Sequence, residues 1–505
     1  MGKTGKVWLV GAGPGSADLL TVKAGRLLDM GDCIVYDRLV GREILAMLPP
    51  DKERIDVGKS AGNHAVPQSE INQILIREAK RGKKVIRLKG GDPFLFGRGG
   101  EELEALCEAK IPYEVVPGIS SSIAVPAYQG IPVTHRDYVS SVHIITGHHR
   151  AGKDGAIDYE ALVRTGGTLV FLMGVGALKE IMEGLLQAGM RADMPAAVLQ
   201  QGTTAGQRRV AATAATLAEE AKRQKIKPPS IIVVGEVCRL ADQFSWYDKL
   251  LLSGERIVVT RPSERGFKLQ EQLRALGAEV LSVPVIRTVP VRDSVRLAAI
   301  EKELKRLRDY EVLAFTSVYG VERFFEILLE AGMDVRHVSH MRFAAIGQGT
   351  CDALRERGIR ADYMPKQYDG ASLGRLLAGE LEDGTGILLA RSSIGGAEIL
   401  EELEKNPGLT YTDLAVYDTI FPEGQEQYLR SYLEEGGITR VVFTSSSTVE
   451  GFTRMMGAFP YDRVKAVCIG RKTAQTAEKA GMQTVTARNA AIEEITACIC
   501  RTVRG

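Results

Sequence analysis

The sequence predicts a chain of several α/β domains, and three observations carry that prediction. Short β-type apolar runs alternate with patterns of helical period along the whole chain. Its 505 residues exceed what one core holds, and a prior of about 100 to 200 residues per domain gives roughly three or four units. With 45% hydrophobic and 25% charged residues, the composition is that of a globular protein. Lys and Arg number 65 against 63 Asp and Glu. No global field therefore points to nucleic acid or a membrane surface, and an acidic ligand needs local arginines. Seven cysteines are scattered without a CxxC pair, which favours a reducing, cytoplasmic compartment. No apolar run reaches the ~18 residues of a membrane span, and the N-terminus runs straight into a strand. Secretion and membrane insertion are not expected.

Taken in order, Val7 to Val10 reads as a strand, followed by Gly11-Ala12-Gly13-Pro14-Gly15 and a helical pattern with Leu19, Leu20, Leu27 and Leu28 that stops at Gly31. Cys33 to Tyr36 is the next strand. Asp37-Arg38-Leu39 sits at its carboxyl end, the edge of an open α/β sheet where ligands bind. A helix with Ile71, Ile74, Leu75 and Ala79 on one face ends at Gly82. The strand Val85 to Leu88 then enters RLKGGDPFLFGRGGEE, Arg87 to Glu102, where glycines 90, 91, 97, 99 and 100 fall between strand and helix. Because glycine adopts positive φ at no steric cost, this loop is either a hard turn or a cradle. Further strands are expected at Tyr113 to Val116, Val142 to Thr146, Thr168 to Met173, Ala197 to Leu199 and Ile231 to Val234, and Pro117-Gly118 reads as a break between subdomains. The pattern lapses between Arg239 and Arg256, and the strand Ile257 to Thr260 opens a new series. That series contains an internal repeat. Phe315-Thr316-Ser317 with Val321, Glu322 and Phe324 recurs as Phe443-Thr444-Ser445 with Val449, Glu450 and Phe452, and Ile346-Gly347 recurs as Ile469-Gly470. The period is far too long for a solenoid.

Two nucleotide readings of the first half fail in detail. The dinucleotide fingerprint needs glycine where Ser16 stands, and Pro14 has no N–H to offer an anion. GGDPFLFGRGG lacks the Gly-Lys-Ser/Thr of a phosphate loop, and Asp92 would repel a phosphate. The ligand should be a small molecule with a polar or cationic part near a carboxylate.

GAGPG, VYDRLV, VGK, RLKGGDPFLFGRGGEE, VPGIS, GIPVTHRD and PPSIIVVGEV, in this order over residues 5 to 240, resemble uroporphyrinogen-III C-methyltransferase. The resemblance implies a tetrapyrrole methylase fold over residues 1–245, with α/β subdomains 1–116 and 117–245, S-adenosylmethionine in the cleft, and a homodimer formed through this half. On the matching positions it implies cofactor binding by Pro14, Gly90, Gly91, Asp92, Leu95, Ser120, Ser121, Met173 and Gly202, and acid and base roles for Asp37 and Lys59. A reduced pyrrole is a carbon nucleophile and a sulfonium methyl is already activated, so placement in a dry cleft should supply most of the gain. Arg38, Arg98 and Arg136 lie in matched blocks and are candidates for gripping substrate carboxylates, with Arg98 alternatively pinning its own loop. Departures from the family are Leu172, Ala205 and His148-His149-Arg150, the histidines having no third ligand at metal spacing. No metal is expected.

After a linker at 246–255, residues 256–505 resemble uroporphyrinogen-III synthase through VVTRP, GAEVLSVPVI, AFTSVYGV, AAIG, AVYDT and FTSSSTV. The repeat alone reads as two consecutive domains split near 384. The resemblance instead implies one domain of 256–287 plus 419–505 and a second, 288–418, inserted into it. Thr316 and Ser317, and Thr444, Ser445 and Ser446, are hydroxyls at strand ends, suited to binding carboxylates or to capping helices. Tyr417 matches the position the family credits with assisting loss of the substrate hydroxyl. Arg471 and the segment 488–491 depart from the pattern. Together the halves imply closure of hydroxymethylbilane to uroporphyrinogen III and its double methylation to precorrin-2, toward sirohaem and cobalamin. The alternative is a methyltransferase whose second half only binds or delivers tetrapyrrole.

Overall fold

The computed structural model describes residues 4–49, 52–58, 66–147, 157–261, 263–422, 429–430, 433, 437–489 and 491–504. Strands β1 (Lys6–Gly11), β2 (Cys33–Tyr36), β3 (Glu53–Asp56), β4 (Lys84–Lys89) and β5 (Tyr113–Val116) form a parallel sheet in the order β3-β2-β4-β1-β5. Helices cover both faces, which is why its central strands read as nearly unbroken apolar runs. Val7, Leu9 and Val85 pack with Ile71 and Leu75 on one face, while Val10, Ile34 and Ile86 pack with Leu27 and Leu28 on the other. The single helix expected after β1 is broken. Ala17–Leu19 is a 3-10 turn, and the Thr21 hydroxyl accepts the Ala24 N–H to start a separate helix, Val22–Met30. Since every strand is parallel, the loops after β1, β2, β4 and β5 all leave one edge.

A second sheet holds β6 (Val142–Thr146), β7 (Thr168–Leu172), β8 (Pro195–Gln200), β9 (Arg208–Thr213) and β10 (Ser230–Val234), in the order β6-β7-β10-β8-β9. Only the β6–β7 pair is parallel. Because β7 and β8 both run antiparallel to β10, the loops carrying Met173 and Gly202 leave the same edge. Val125, from the helix Ser121–Tyr128, is buried in the core of this sheet with Val170, Leu199 and Val233. The segment 246–255 is packed. The Tyr128 ring lies 5.0 Å from Trp246 and 4.9 Å from Tyr247, and the Tyr247 hydroxyl donates to the Gly277 carbonyl at 3.1 Å.

The remaining strands are β11 (Arg256–Val259), β12 (Glu279–Ser282), β13 (Arg287–Pro290), β14 (Val312–Phe315), β15 (Arg342–Ala345), β16 (Gly386–Ser392), β17 (Thr410–Ile420), β18 (Arg440–Phe443), β19 (Lys465–Cys468) and β20 (Gln483–Thr486). They build two sheets, β12-β11-β18-β19-β20 and β13-β17-β16-β14-β15. The first is parallel; in the second only β13 runs antiparallel, along the edge of β17. Contacts divide the chain into two compact units, Met1–Val285 with Glu423–Gly505, and Ile286–Pro422. The internal repeat is a strand–cap–helix unit present once in each. Extended Ser317 and Ser445 cap the helices that follow β14 and β18, and extended Gly347 and Gly470 begin those after β15 and β19. Among the described residues, no helix is long and apolar enough to cross a membrane.

Candidate functional site

Gly11, the last residue of β1, lies backbone against backbone with Gly91 and Gly118, from the loops after β4 and β5. A Cβ at Gly11 would sit 2.5 Å from Gly118 Cα and 2.7 Å from the Gly91 carbonyl oxygen. Gly13 and Gly91, at φ of 73° and 68°, exchange N–H···O bonds of 3.1 and 2.7 Å. A side chain at Gly11 or Gly118 would force these backbones apart, while the positive φ at Gly13 and Gly91 favours glycine there. Asp92 fastens the same loops. Its Oδ1 accepts the Phe94 and Leu95 N–H groups at 2.8 and 3.2 Å, and Oδ2 accepts the Gly118 N–H at 3.0 Å. The geometry gives this carboxylate a clamping role, because three loop amides need an acceptor. Beside it, Ser120 caps the helix Ser121–Tyr128, accepting the Ser122 N–H at 3.2 Å, and Gly90 lies against Leu39 of the loop after β2.

The second sheet closes on this cluster through the Gly202 loop. Thr203 Oγ1 accepts the Ser16 N–H at 3.3 Å, tying that loop to the one that carries Pro14. Five non-glycine residues here hold left-handed backbone: Phe96, Arg98, Met173, Gln201 and Thr203. Each such residue costs of order 1–3 kcal/mol, and strain of this kind concentrates at functional loops. The strand expected to reach Met173 ends at Leu172, where the chain turns left-handed and leaves the methionine 54% exposed.

Asp37 rests on a buried ionic relay absent from the sequence reading. Arg87 Nη2 donates to Asp37 Oδ2 at 3.2 Å and its Nε to Glu102 Oε1 at 3.0 Å, and Lys89 Nζ reaches the same Glu102 oxygen at 2.8 Å. Arg87, Lys89 and Glu102 are all buried. Burial, and then the neighbouring Arg87, lower the pKa of Lys89. Two cations against one buried carboxylate leave a surplus that Asp37 balances. The available signal is RLK itself, two charges in the buried stretch Val85–Lys89 of a central strand.

The candidate arginines divide. Arg98 makes two bonds to Glu101, at 2.9 and 2.6 Å, so its guanidinium is turned onto its own loop, the second of the two sequence readings. Arg38 and Arg136 are exposed. Lys59 and His148-His149-Arg150 lie outside the described residues. Leu172 is a core residue of the second sheet, and the Ala205 N–H donates to Glu279 Oε2 at 3.0 Å.

In the unit Ile286–Pro422, two candidates far apart in sequence meet. The Tyr417 hydroxyl lies 3.0 Å from Ser317 Oγ, and the Tyr417 ring makes an edge contact with Tyr319 at 4.9 Å. Tyr417 is buried on β17. Ser317 Oγ also accepts the Gly320 N–H at 2.9 Å, so it caps a helix and bonds the tyrosine at once. Thr316 is half-buried beside it. In the other unit, Ser445 forms a capping box with Thr448 and bonds Ser447 Oγ at 2.8 Å, with Thr444 and Ser446 half-buried on either side. Arg471 is exposed in the first turn of its helix, and Ala490 lies outside the described residues.

Comparison with known proteins matches both halves. The family described as Tetrapyrrole (Corrin/Porphyrin) Methylases covers residues 6–218, and Uroporphyrinogen-III synthase HemD covers residues 268–497. The S-adenosyl-L-methionine-dependent uroporphyrinogen III methyltransferase of Methanosarcina barkeri is 52% identical over 242 residues, 48% of this chain and 95% of that protein. The crystal structure of uroporphyrin-III C-methyl transferase from Thermus thermophilus complexed with S-adenyl homocysteine is 40% identical, with a TM-score of 0.41, and the match covers 46% of this chain and 99% of that one. Porphyrin biosynthesis protein HemD of Ruminiclostridium josui is 43% identical over 491 residues, 97% of either chain. Spanning that relative almost end to end, with a methylase match followed by a synthase match, the chain belongs to the family of porphyrin-biosynthesis proteins that join a tetrapyrrole methylase to a uroporphyrinogen-III synthase.

Proposed function

We propose that this enzyme of tetrapyrrole biosynthesis closes hydroxymethylbilane to uroporphyrinogen III with its second half and methylates that product twice, to precorrin-2, with its first. S-adenosylmethionine is the methyl donor. The observation that carries the cofactor reading is the floor formed by Gly11, Gly91 and Gly118, where a Cβ at Gly11 or Gly118 would collide with the facing backbone. GAGPG lacks the last glycine of a dinucleotide fingerprint and GGDPFLF lacks the Gly-Lys-Ser/Thr of a phosphate loop, so the floor suits a ligand with a sulfonium and no phosphate. The printed name of the Methanosarcina relative supports the same donor.

Bound S-adenosylmethionine supplies an activated methyl; the chain's part is placement and exclusion of water. Gly90, Gly91, Leu95, Ser120 and Ser121 would hold the cofactor from the first sheet, and Pro14, Met173 and Gly202 from the facing loops, with Asp92 keeping the loops joined. Asp37, fixed by Arg87 and by the Leu39 N–H at 3.1 Å, would take a pyrrole proton or orient a pyrrole N–H, with Lys59 as its basic partner. Arg38 and Arg136 would grip substrate carboxylates.

For ring closure, loss of the terminal hydroxyl as water gives a reactive azafulvene. The Tyr417 hydroxyl, backed by Ser317, would donate the proton that hydroxyl needs in order to leave. Thr316 in one unit and Thr444, Ser445 and Ser446 in the other would bind carboxylates through hydroxyls and helix-end N–H groups. The protein is further read as a cytoplasmic homodimer assembled through the first half. The test is to supply hydroxymethylbilane with and without S-adenosylmethionine and identify products by absorbance and mass. The expected products are uroporphyrinogen III alone and then precorrin-2; formation of only the uninverted isomer would refute the synthase assignment.

A further inference from the structure

We propose that the second half of the chain holds the first half's cofactor loops in register, with Arg274 and Glu279 as positioning residues for S-adenosylmethionine; this rests on the cofactor reading above. Both residues lie beyond residue 218, where the methylase match ends, and in the same compact unit as the loops they touch.

Arg274 acts on the loops after β1 and β2. It belongs to the helix Ser263–Ala275, and its Nε is ion-paired with Glu43 Oε1, in the first turn of the helix Arg42–Met47 that follows the Asp37 loop. Glu43 Oε2 accepts the Ala17 N–H at 3.0 Å, just past the loop that carries Pro14. One carboxylate therefore joins both loops, and Arg274 holds that carboxylate. The two loops already touch, since a Cβ at Gly41 would sit 2.9 Å from Gly15 Cα. Glu279, on β12, acts on the loop after β8. Its Oε2 accepts the Ala205 N–H at 3.0 Å while Arg256 holds the same oxygen at 2.8 Å. The joining segment adds a second hold there: Gln207 Oε1 accepts the Thr203 N–H at 3.1 Å, and its Nε2 donates to Asp248 Oδ1 at 2.6 Å.

Burial decides that these contacts matter. Exposed ion pairs contribute little, but the side chains of Arg274 and Glu43 are only 7% and 3% exposed. Removing one partner of such a pair strands the other charge out of water. Without Arg274, Glu43 must protonate, recruit water or swing outward, and each course removes the anchor from the carboxylate that joins the two loops. Burial already pushes the Glu43 carboxyl upward against the pull of Arg274.

The test uses the full chain and S-adenosylhomocysteine as a non-reacting probe, titrated calorimetrically beside thermal denaturation. Arg274→Met should weaken binding about tenfold and Glu279→Gln about fivefold, the range usual for coupled sites, and Arg274→Lys should largely restore it. Closure of hydroxymethylbilane by the same preparations should stay at the wild-type rate. Should Arg274→Met not fold, the charge-neutral pair Glu43→Gln with Arg274→Met carries the same test. Failure of the wild type to bind S-adenosylhomocysteine would refute the cofactor reading. Wild-type binding matched by the folded variants would overturn the positioning role alone.

Discussion

Replacing Asp92 with asparagine separates the clamp from the shape of the side chain. The amide oxygen can keep the Phe94 and Leu95 N–H groups, now at 2.8 and 3.2 Å, but the amide nitrogen then faces the Gly118 N–H that Oδ2 accepts at 3.0 Å. Donor meets donor, and the loops after β4 and β5 lose their side-chain tie. A hydrogen bond to a charged acceptor contributes about 1.5–3 kcal/mol, and Asp92 and Gly118 are only half-buried, so the loss should lie near the lower end, about 1.5–2 kcal/mol. In a unit of this size that lowers Tm by roughly 2–3 °C. If binding must restore the register, S-adenosylhomocysteine affinity should fall about 10- to 30-fold. Calorimetric titration and thermal denaturation of Asp92→Asn measure the two losses separately, with ring closure as an internal control for the second half. A lowered Tm with unchanged affinity would refute the argument, since the clamp would then support the fold without shaping the pocket.

Three further outcomes are expected. Tyr417→Phe removes the hydroxyl 3.0 Å from Ser317 Oγ; it should slow ring closure about a hundredfold and leave methylation of supplied uroporphyrinogen III at the wild-type rate, and an unchanged closure rate in a product assay would discard Tyr417 as the acid. Burial pushes the Glu78 carboxyl upward, but hydrogen bonds from Lys83, Arg77 and Arg81 outweigh it and hold the pKa at about 2. A carboxyl lowered on folding stabilises fully above its ordinary 4.5 and loses that contribution as pH falls through about 2. Glu78→Gln should therefore cost about 1–2 kcal/mol at neutral pH, after discounting the half-exposed arginines; urea denaturation should show the deficit shrinking below pH 4.5, and a pH-independent deficit would contradict the pairing. Met173→Gly releases a left-handed backbone at φ 56°. It should raise stability by up to about 1 kcal/mol while weakening S-adenosylhomocysteine binding, and weaker stability would show that the thioether is held by packing rather than exposed under strain.

Strands with two buried faces were legible because burial writes itself into composition, as in Val7 to Val10 and Thr168 to Leu172. β3 and β9 were not. They are sheet edges with half-exposed sequences, ERID and RRVAAT, whose hydrogen bonding depends on neighbours remote in the chain. The same distinction governs the site. Glycines 90 and 91 and Asp92 announce themselves locally, but the reason Gly11 must be glycine lies at Gly91 and Gly118, and neither the partner of Asp92 Oδ2 nor the bond between Ser317 and Tyr417 follows from spacing. Arg98 shows the same limit from the other side. Residue type suggested a carboxylate ligand, and it found one three residues away in Glu101.

The stretch Arg87 to Glu102 explains how so strained a loop persists. Arg87 and Lys89 close the strand that enters it, Glu102 stands in the helix that leaves it, and all three meet at one buried oxygen. Both ends of the loop are thus tied by a single ion cluster, whose disruption at one partner costs about 3–5 kcal/mol. Between those ends Asp92 ties the middle to Gly118, and Gly91 ties it to Gly13. The left-handed conformations of Phe96 and Arg98 sit inside this frame, and their combined cost, of order 2–6 kcal/mol, is comparable to what the cluster and clamp together oppose to it. Relaxation of the loop would have to break the buried cluster first. The loop therefore meets a ligand as a preformed surface, which is what a reaction depending on placement of two already reactive partners requires.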